Sequence, residues 1–256
     1  RRMAYATITA TIEDGIGRLT LNQPKKLNPL GTDTLQDIID ATTWFNNENA
    51  EVVIIAGKGR AFTAGFDLRE FSNQDATGTD GAALGREMAE AVDRMKPVTI
   101  ASLHGHCIGG GVVLASACDL RIASENTIFS IPEVDLGIPL AWGGIPRLVR
   151  EIGPAMTKEL VMTCRPFDAK EAKNLGFVNR VVAHDDLETQ TVNMAESIKQ
   201  RPQTVIETTK NQIRSAAENL VTTKDEWVGE LLIAAANKDT AAKAAAQNYL
   251  NRRGKQ

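Results

Sequence analysis

Apolar and polar residues alternate over Tyr5–Ile12 and again over Ile16–Leu21, on either side of Glu13-Asp14-Gly15. This predicts a β-hairpin with one face on a core. Thr32 is placed to cap a helix over Asp33–Asn46, whose Leu35, Ile38, Ile39 and Thr42 share one face. Val52-Val53-Ile54-Ile55-Ala56 is an unbroken apolar run ended by Gly57–Gly59, the pattern of a strand covered on both sides. A helix over Ala82–Met95 stops before Pro97, and Val98–Leu103 is a second buried strand. Then come His104–Gly111, a helix over Val112–Cys118, and strands at Leu120–Ala123 and Thr127–Ile131. The polar stretch Ser72–Gly81 reads as a mobile loop. Repetition of strand, strand, helix predicts the α/β class.

From Gly143 onward helical patterns take over, apart from a strand expected at Phe177–Val182. After Pro202 the predicted helices are Val205–Asn219, Asp225–Asn237 and Thr240–Leu250, with alanine clusters at Ala234–Ala236 and Ala241–Ala246. The chain therefore divides into a core over 1–200 and a helical region over 201–256, without a linker between them.

A chain of 256 residues, 43% hydrophobic, is long enough for a large core. Its formal net charge of −3 gives no general attraction to nucleic acid or an anionic membrane. No apolar run reaches the roughly 20 residues of a membrane span. Cys107, Cys118 and Cys164 form no CxxC pair and no metal-ligand spacing with the histidines, so no metal is expected and the thiols are expected free. Arg1-Arg2-Met3-Ala4-Tyr5 lacks the apolar stretch of a secretory leader, and Met3 is a candidate initiator. A cytoplasmic location is expected.

Two glycine-containing turns carry candidate chemistry. Ala61-Phe62-Thr63-Ala64-Gly65-Phe66-Asp67-Leu68 follows the strand at 52–56, and Gly105-His106-Cys107-Ile108-Gly109-Gly110-Gly111 follows the strand at 98–103 and opens a helix. A helix start offers unpaired N–H groups, and glycine lets a ligand approach the backbone. Two such turns side by side can aim two N–H donors at one oxygen, as in an oxyanion hole. Taken singly, each is also compatible with a plain strand-to-helix connection. The glycine run lacks the spacing of a dinucleotide fingerprint, and no Walker lysine follows it.

Together with Leu27-Asn28-Pro29-Leu30, Cys118-Asp119-Leu120-Arg121-Ile122-Ala123, Pro132-Glu133-Val134-Asp135-Leu136-Gly137-Ile138, Gly143-Gly144, Arg147-Leu148, Ala169, Ala172 and Leu175-Gly176-Phe177-Val178, these turns resemble the crotonase (enoyl-CoA hydratase/isomerase) superfamily over nearly the whole chain. The resemblance implies a spiral of ββα units followed by a C-terminal helical trimerisation region, and assembly as a homotrimer or hexamer. It implies an acyl-CoA thioester as partner, with coenzyme A arriving as part of the substrate and no other cofactor. By position, the thioester oxygen would sit between the amides of Phe66 and Gly110. Ala64, Gly65, Asp67, Leu68, Gly109, Trp142, Lys26 and Leu27 would contact the thioester or its CoA, with Lys25 beside them; isolated lysines are otherwise ordinary surface residues.

The family's hydratases use two glutamates, and their positions fall here on Val113 and Glu133. Valine cannot exchange a proton. The acids of the related dienoyl-CoA isomerases fall on Val113 and Ala141. One carboxylate is enough for a double-bond isomerase, which takes a proton from one carbon and returns it two carbons along. Glu133 is the expected acid/base, its pKa raised by an apolar wall of Ile131, Val113 and Ile138; a glutamate after a proline is otherwise a surface residue. Asp135 shares its side in an extended segment and is a candidate second acid or a structural hydrogen-bonding group. Isomerase chemistry stands ahead of hydration by Glu133 with a second group. A non-catalytic acyl-CoA-binding protein, or a hydrolase using Cys107 with His104 or His106, is the alternative of another class. The histidines are otherwise packing or pocket-wall residues. Trp142 is expected to reshape an acyl tunnel or fill core, and Arg147 to form an ion pair. Lys210, Arg214, Arg252 and Arg253 are candidates to reach a neighbouring subunit's CoA.

Overall fold

The computed structural model describes residues 1–67, 70 and 79–255. The predicted hairpin forms from β2 (Ile8–Glu13) and β3 (Ile16–Leu21), with Glu13 facing Ile16. The two residues between them, Asp14 and Gly15, both have positive φ (46° and 78°), which suits a two-residue turn to the twist of the strands. Tyr5–Thr7, expected to extend the first strand, is a bend instead. Ahead of it, β1 (Arg2–Ala4) pairs antiparallel with β2, an edge strand too short for its pattern to be read.

Beyond the hairpin the large sheet is parallel. Its order is β1-β2-β3-β4-β5-β7-β10, with β4 at Val52–Gly57, β5 at Val98–Leu103, β7 at Leu120–Ser124 and β10 at Arg180–Val182. The run at 52–55 is buried on both faces, as its composition requires. Val53 and Ile55 join the main core with Ala101, Leu103 and Ala123. Val52 and Ile54 join a second layer with Ile100, Ile122, Leu187 and Ala195 under α6 (Leu187–Lys199). A smaller sheet contains β6 (His106–Ile108), β8 (Ile128–Ser130) and β9 (Phe167–Asp168). Successive strand pairs divide between the sheets. β5 leads to β6 and α3 (Gly110–Ala117), and β7 leads to β8 and then α4 (Gly144–Thr163). β4 leads to Thr63, which bridges to Cys107 in β6. The result is the spiral of ββα turns, with helices following it to the C-terminus.

Helix α1 (Thr32–Asn47) begins one residue earlier than predicted. Thr32 is its first residue and Gly31 its N-cap. The orphaned N–H of Thr32 donates instead to the Glu70 carboxylate at 3.1 Å, a long-range contact with no local signal. Helix α2 spans Thr79–Asp93, so Thr79–Gly81 belong to a helix rather than the expected loop, and residues 72–78 lie outside the described residues. The strand expected from Phe177 starts only at Arg180. Gly176, with φ of 90°, caps α5 (Ala169–Leu175), and Phe177 and Val178 pack into the core. There the buried Arg121 guanidinium donates to the carbonyls of Phe177, Ala115 and Cys118 and lies over the Phe177 ring.

The tail forms α7 (Gln203–Leu220), α8 (Val228–Ala236) and α9 (Thr240–Arg253). Lys210 of α7 is buried, bonding the Pro97 carbonyl and Asp119, each at 2.8 Å. Arg214 approaches Asp93 at 3.9 Å. Both therefore face the core of their own chain, contrary to the expected reach toward a neighbour. Arg147 forms the ion pair predicted for it, with Asp93 of the same chain at 2.9 Å. Among the described residues no helix is long and apolar enough to cross a membrane.

Candidate active site

Asn28 builds the first glycine turn. It sits in the left-handed region (φ 52°), and its side-chain amide donates to the carbonyls of Lys58, Ala61 and Phe62 while accepting from Gln23 N–H. This holds the chain as it leaves β4. The next contacts fix the strand that follows: Thr63 Oγ1 donates to Asn28 O, Ala64 N–H to Leu27 O, and Gly65 N–H to Thr63 Oγ1. Gly65 has φ of 89°, and a Cβ there would lie 2.6 Å from Ile108 O and 3.7 Å from Gly110 N. Only glycine permits that approach, which places the first turn against the second.

The second turn starts α3 two residues before its predicted start, so Gly110 and Gly111 form its first turn and Gly109 caps it at φ 55°, ψ −114°. Among the described residues the N–H groups of Phe66 and Gly110 have no backbone acceptor. Both residues line one cavity of about 910 Å³, mouth included, together with Ala64, Gly65, Gly109, Val113, Glu133, Ala141 and Trp142.

Glu133 projects onto the Gly109 backbone: a Cβ on Gly109 would meet its Oε1 at 2.5 Å. The second oxygen, Oε2, is buried and has no hydrogen-bond partner among the described residues. Burial pushes the carboxyl pKa up to about 7, opposed only partly by its own backbone N–H. Val113 and Ile138 share the cavity wall, and Ile131 is fully buried. Glu133 and Arg253 are the charged side chains among the described lining residues. A carboxyl held near neutrality in an apolar cavity wall is a candidate for proton transfer.

Trp142 fills the space beside these groups. Its backbone adopts φ of 62°, a conformation costing a residue with a Cβ about 1–2 kcal/mol. The indole is 8% exposed and meets the Phe66 ring edge-on at 6.1 Å. Cβ atoms on Gly85 and Gly110 would come within 2.0 Å and 2.3 Å of it. Gly85 lies inside α2, where glycine costs about 1 kcal/mol relative to alanine, so the helix accepts a weaker residue where the indole needs room.

The other sequence candidates fall elsewhere. Lys26 is exposed, at the end of a short 3-10 turn over Pro24–Lys26, and Leu27 is tied by its carbonyl to Ala64. Neither they nor Asp67 line the cavity, and Leu68 lies outside the described residues. Asp135 does not share a side with Glu133. Residues 133–137 form turns closed by Leu136 N–H to Pro132 O and Ile138 N–H to Glu133 O, which leave Asp135 exposed. His106 is exposed, and His104 bonds Gly59 O at 2.6 Å, so neither histidine is a pocket wall. Cys107 is fully buried in the core, and desolvation pushes its thiol far above the usual range, removing the nucleophile reading its support. Tyr249 and Arg253, one helical turn apart on α9, line the cavity of their own chain, with the Arg253 guanidinium over the Tyr249 ring at 5.5 Å. Their i, i+4 spacing was the available signal for them.

Comparison with known proteins agrees with this geometry. Residues 11–256 match the family model described as enoyl-CoA hydratase/isomerase. The chain is 38% identical over 211 residues to a crotonyl-CoA hydratase of Syntrophomonas wolfei, covering 81% of each chain. It is 34% identical to the mevalonyl-coenzyme A hydratase sidH of Aspergillus fumigatus, over 84% of this chain and 82% of that one. Among solved structures, an enoyl-CoA hydratase/isomerase from Xanthobacter autotrophicus Py2 superposes with a TM-score of 0.87 at 27% identity, covering 94% of this chain and 91% of the other.

Proposed function

The chain is an enzyme of the enoyl-CoA hydratase/isomerase family, and from that premise we propose that it moves the double bond of an enoyl-CoA, with Glu133 as its single acid and base. The supporting observation is the Glu133 carboxyl, buried, unpaired at Oε2 and pushed to about 7, as the one acid among the described cavity residues. The thioester oxygen accepts from the N–H groups of Phe66 and Gly110. Glu133 removes a proton from the carbon next to the thioester carbonyl. Negative charge then spreads onto the oxygen, where the two amides and the positive end of α3 stabilise it; one such donor is worth about 3 kcal/mol in other enzymes. The proton now on Glu133 returns two carbons along, completing the shift. A carboxyl near neutrality suits both steps. Val113 and Ala141 place no acid or base at their own positions on the wall.

The hydratase names of the relatives favour a second reading, in which Glu133 with a second group directs water onto a 2-enoyl-CoA. Incubation with 3-enoyl-CoA and 2-enoyl-CoA in parallel separates the two: bond migration in the first is expected, and water addition to the second without migration overturns the isomerase assignment. Glu133→Gln is expected to lower turnover about 10³-fold, and unchanged turnover refutes the role of Glu133.

The trimer or hexamer is part of the same proposal. Ile213, Leu220, Trp227, Leu231 and Leu232 on and between α7 and α8 are each more than half exposed, and burial against another copy would remove this apolar surface from water. Light scattering after size exclusion is expected to give three or six chains, and a monomer overturns it.

A further inference from the structure

We infer that Trp142, admitted by Gly85 and Gly110, closes the acyl end of the cavity and makes the enzyme selective for short-chain thioesters. The inference builds on the proposed seat of the thioester oxygen at the Phe66 and Gly110 amides.

The geometry leaves little choice about where the acyl carbons lie. A thioester oxygen bonded to the Gly110 N–H is held about 2.9 Å from that nitrogen. The same residue carries the indole against its α-carbon: a methyl group on Gly110 would sit 2.3 Å from the outer edge of the six-membered ring. The carboxylate of Glu133 touches the preceding residue, Gly109. The first carbons of the acyl chain therefore run between Glu133 and Trp142. The indole cannot step back. Gly85 of α2 stands behind it with no side chain to yield, and the Phe66 ring meets it edge-on. Leu140 and Ala141, which precede it, are themselves buried. A long chain running past Glu133 meets an indole held by Gly85 and the Phe66 ring.

Saturated acyl-CoAs test this without relying on turnover. Calorimetric titration of the full-length protein is expected to show butyryl-CoA binding at least about 30-fold more tightly than decanoyl-CoA, although the longer chain offers more apolar surface. Trp142→Ala is expected to bring the two within about threefold, chiefly by strengthening decanoyl-CoA. Gly85→Ala pushes the indole forward and is expected to weaken butyryl-CoA at least tenfold, and Gly85→Ala with Trp142→Ala is expected to restore the Trp142→Ala values. Circular dichroism checks that each variant folds; if Trp142→Ala does not, Trp142→Leu and Gly85→Ala carry the test. Equal binding of both thioesters by the wild type, an unchanged ratio in the Trp142 variant, or intact butyryl-CoA binding in Gly85→Ala overturns the inference while leaving the acyl-CoA site standing. Failure of the folded wild type to bind any thioester overturns both.

Discussion

Two buried charges in this molecule are treated in opposite ways. Arg147, 3% exposed at its side chain, faces Asp93 at 2.9 Å and donates to the Gly143 carbonyl. The Oε2 of Glu133 is also removed from water and has no hydrogen-bond partner among the described residues, a state shared by the Arg147 Nε. The first arrangement holds α4 to α2; the second lowers stability and leaves a proton site open toward a cavity. The ion-paired charge therefore ties two helices together, whereas the Glu133 carboxyl is set against a cavity.

Breaking the satisfied pair carries the larger expected effect. Arg147→Met strands Asp93, and such changes cost about 3–5 kcal/mol. Arg214, 3.9 Å from Asp93, remains as partial compensation and places the expected loss near 3 kcal/mol. Urea unfolding measures it, and an unchanged midpoint would dissolve the contrast. The open site predicts a pH effect of comparable or smaller size. The Glu133 carboxyl has its pKa raised from 4.5 unfolded to about 7 folded. Between those values the native state holds a proton that the unfolded state has lost. Stability therefore falls as pH climbs from about 4.5 to about 7, by on the order of 3 kcal/mol. Turnover rises over the upper part of that window as the base form appears. Glu133→Gln is expected to remove this contribution to the stability slope while lowering stability at neutral pH by little or nothing. Retention of the full slope in that variant would assign it to other groups.

Much of this was readable beforehand, for a physical reason. A strand covered on both faces must be apolar throughout, so 52–56 and 98–103 declared themselves. The two glycine turns and the Pro132-Glu133 step were visible because close backbone approach restricts residue type. What escaped depended on contacts between distant segments. The Glu70 carboxylate at the start of α1 and the exposed Asp135 leave no periodic trace. The β-strand expected at Phe177 failed because apolar character alone does not separate a strand from buried loop residues after a glycine cap. Gly85 did leave a mark, a glycine inside a helical pattern, and its meaning waited for Trp142 to be placed against it.

The position of that indole gives the protein a built-in optical reporter. The chain has three tryptophans. Trp227 is half exposed and Trp44 packs beside Phe45 on α1, whereas Trp142 lies against the backbone that a ligand would occupy. Occupancy of the cavity is expected to perturb the emission of Trp142, which lines it, more than that of Trp44 and Trp227, which do not. Binding can then be followed by unlabelled fluorescence, even in a Glu133 variant that turns nothing over.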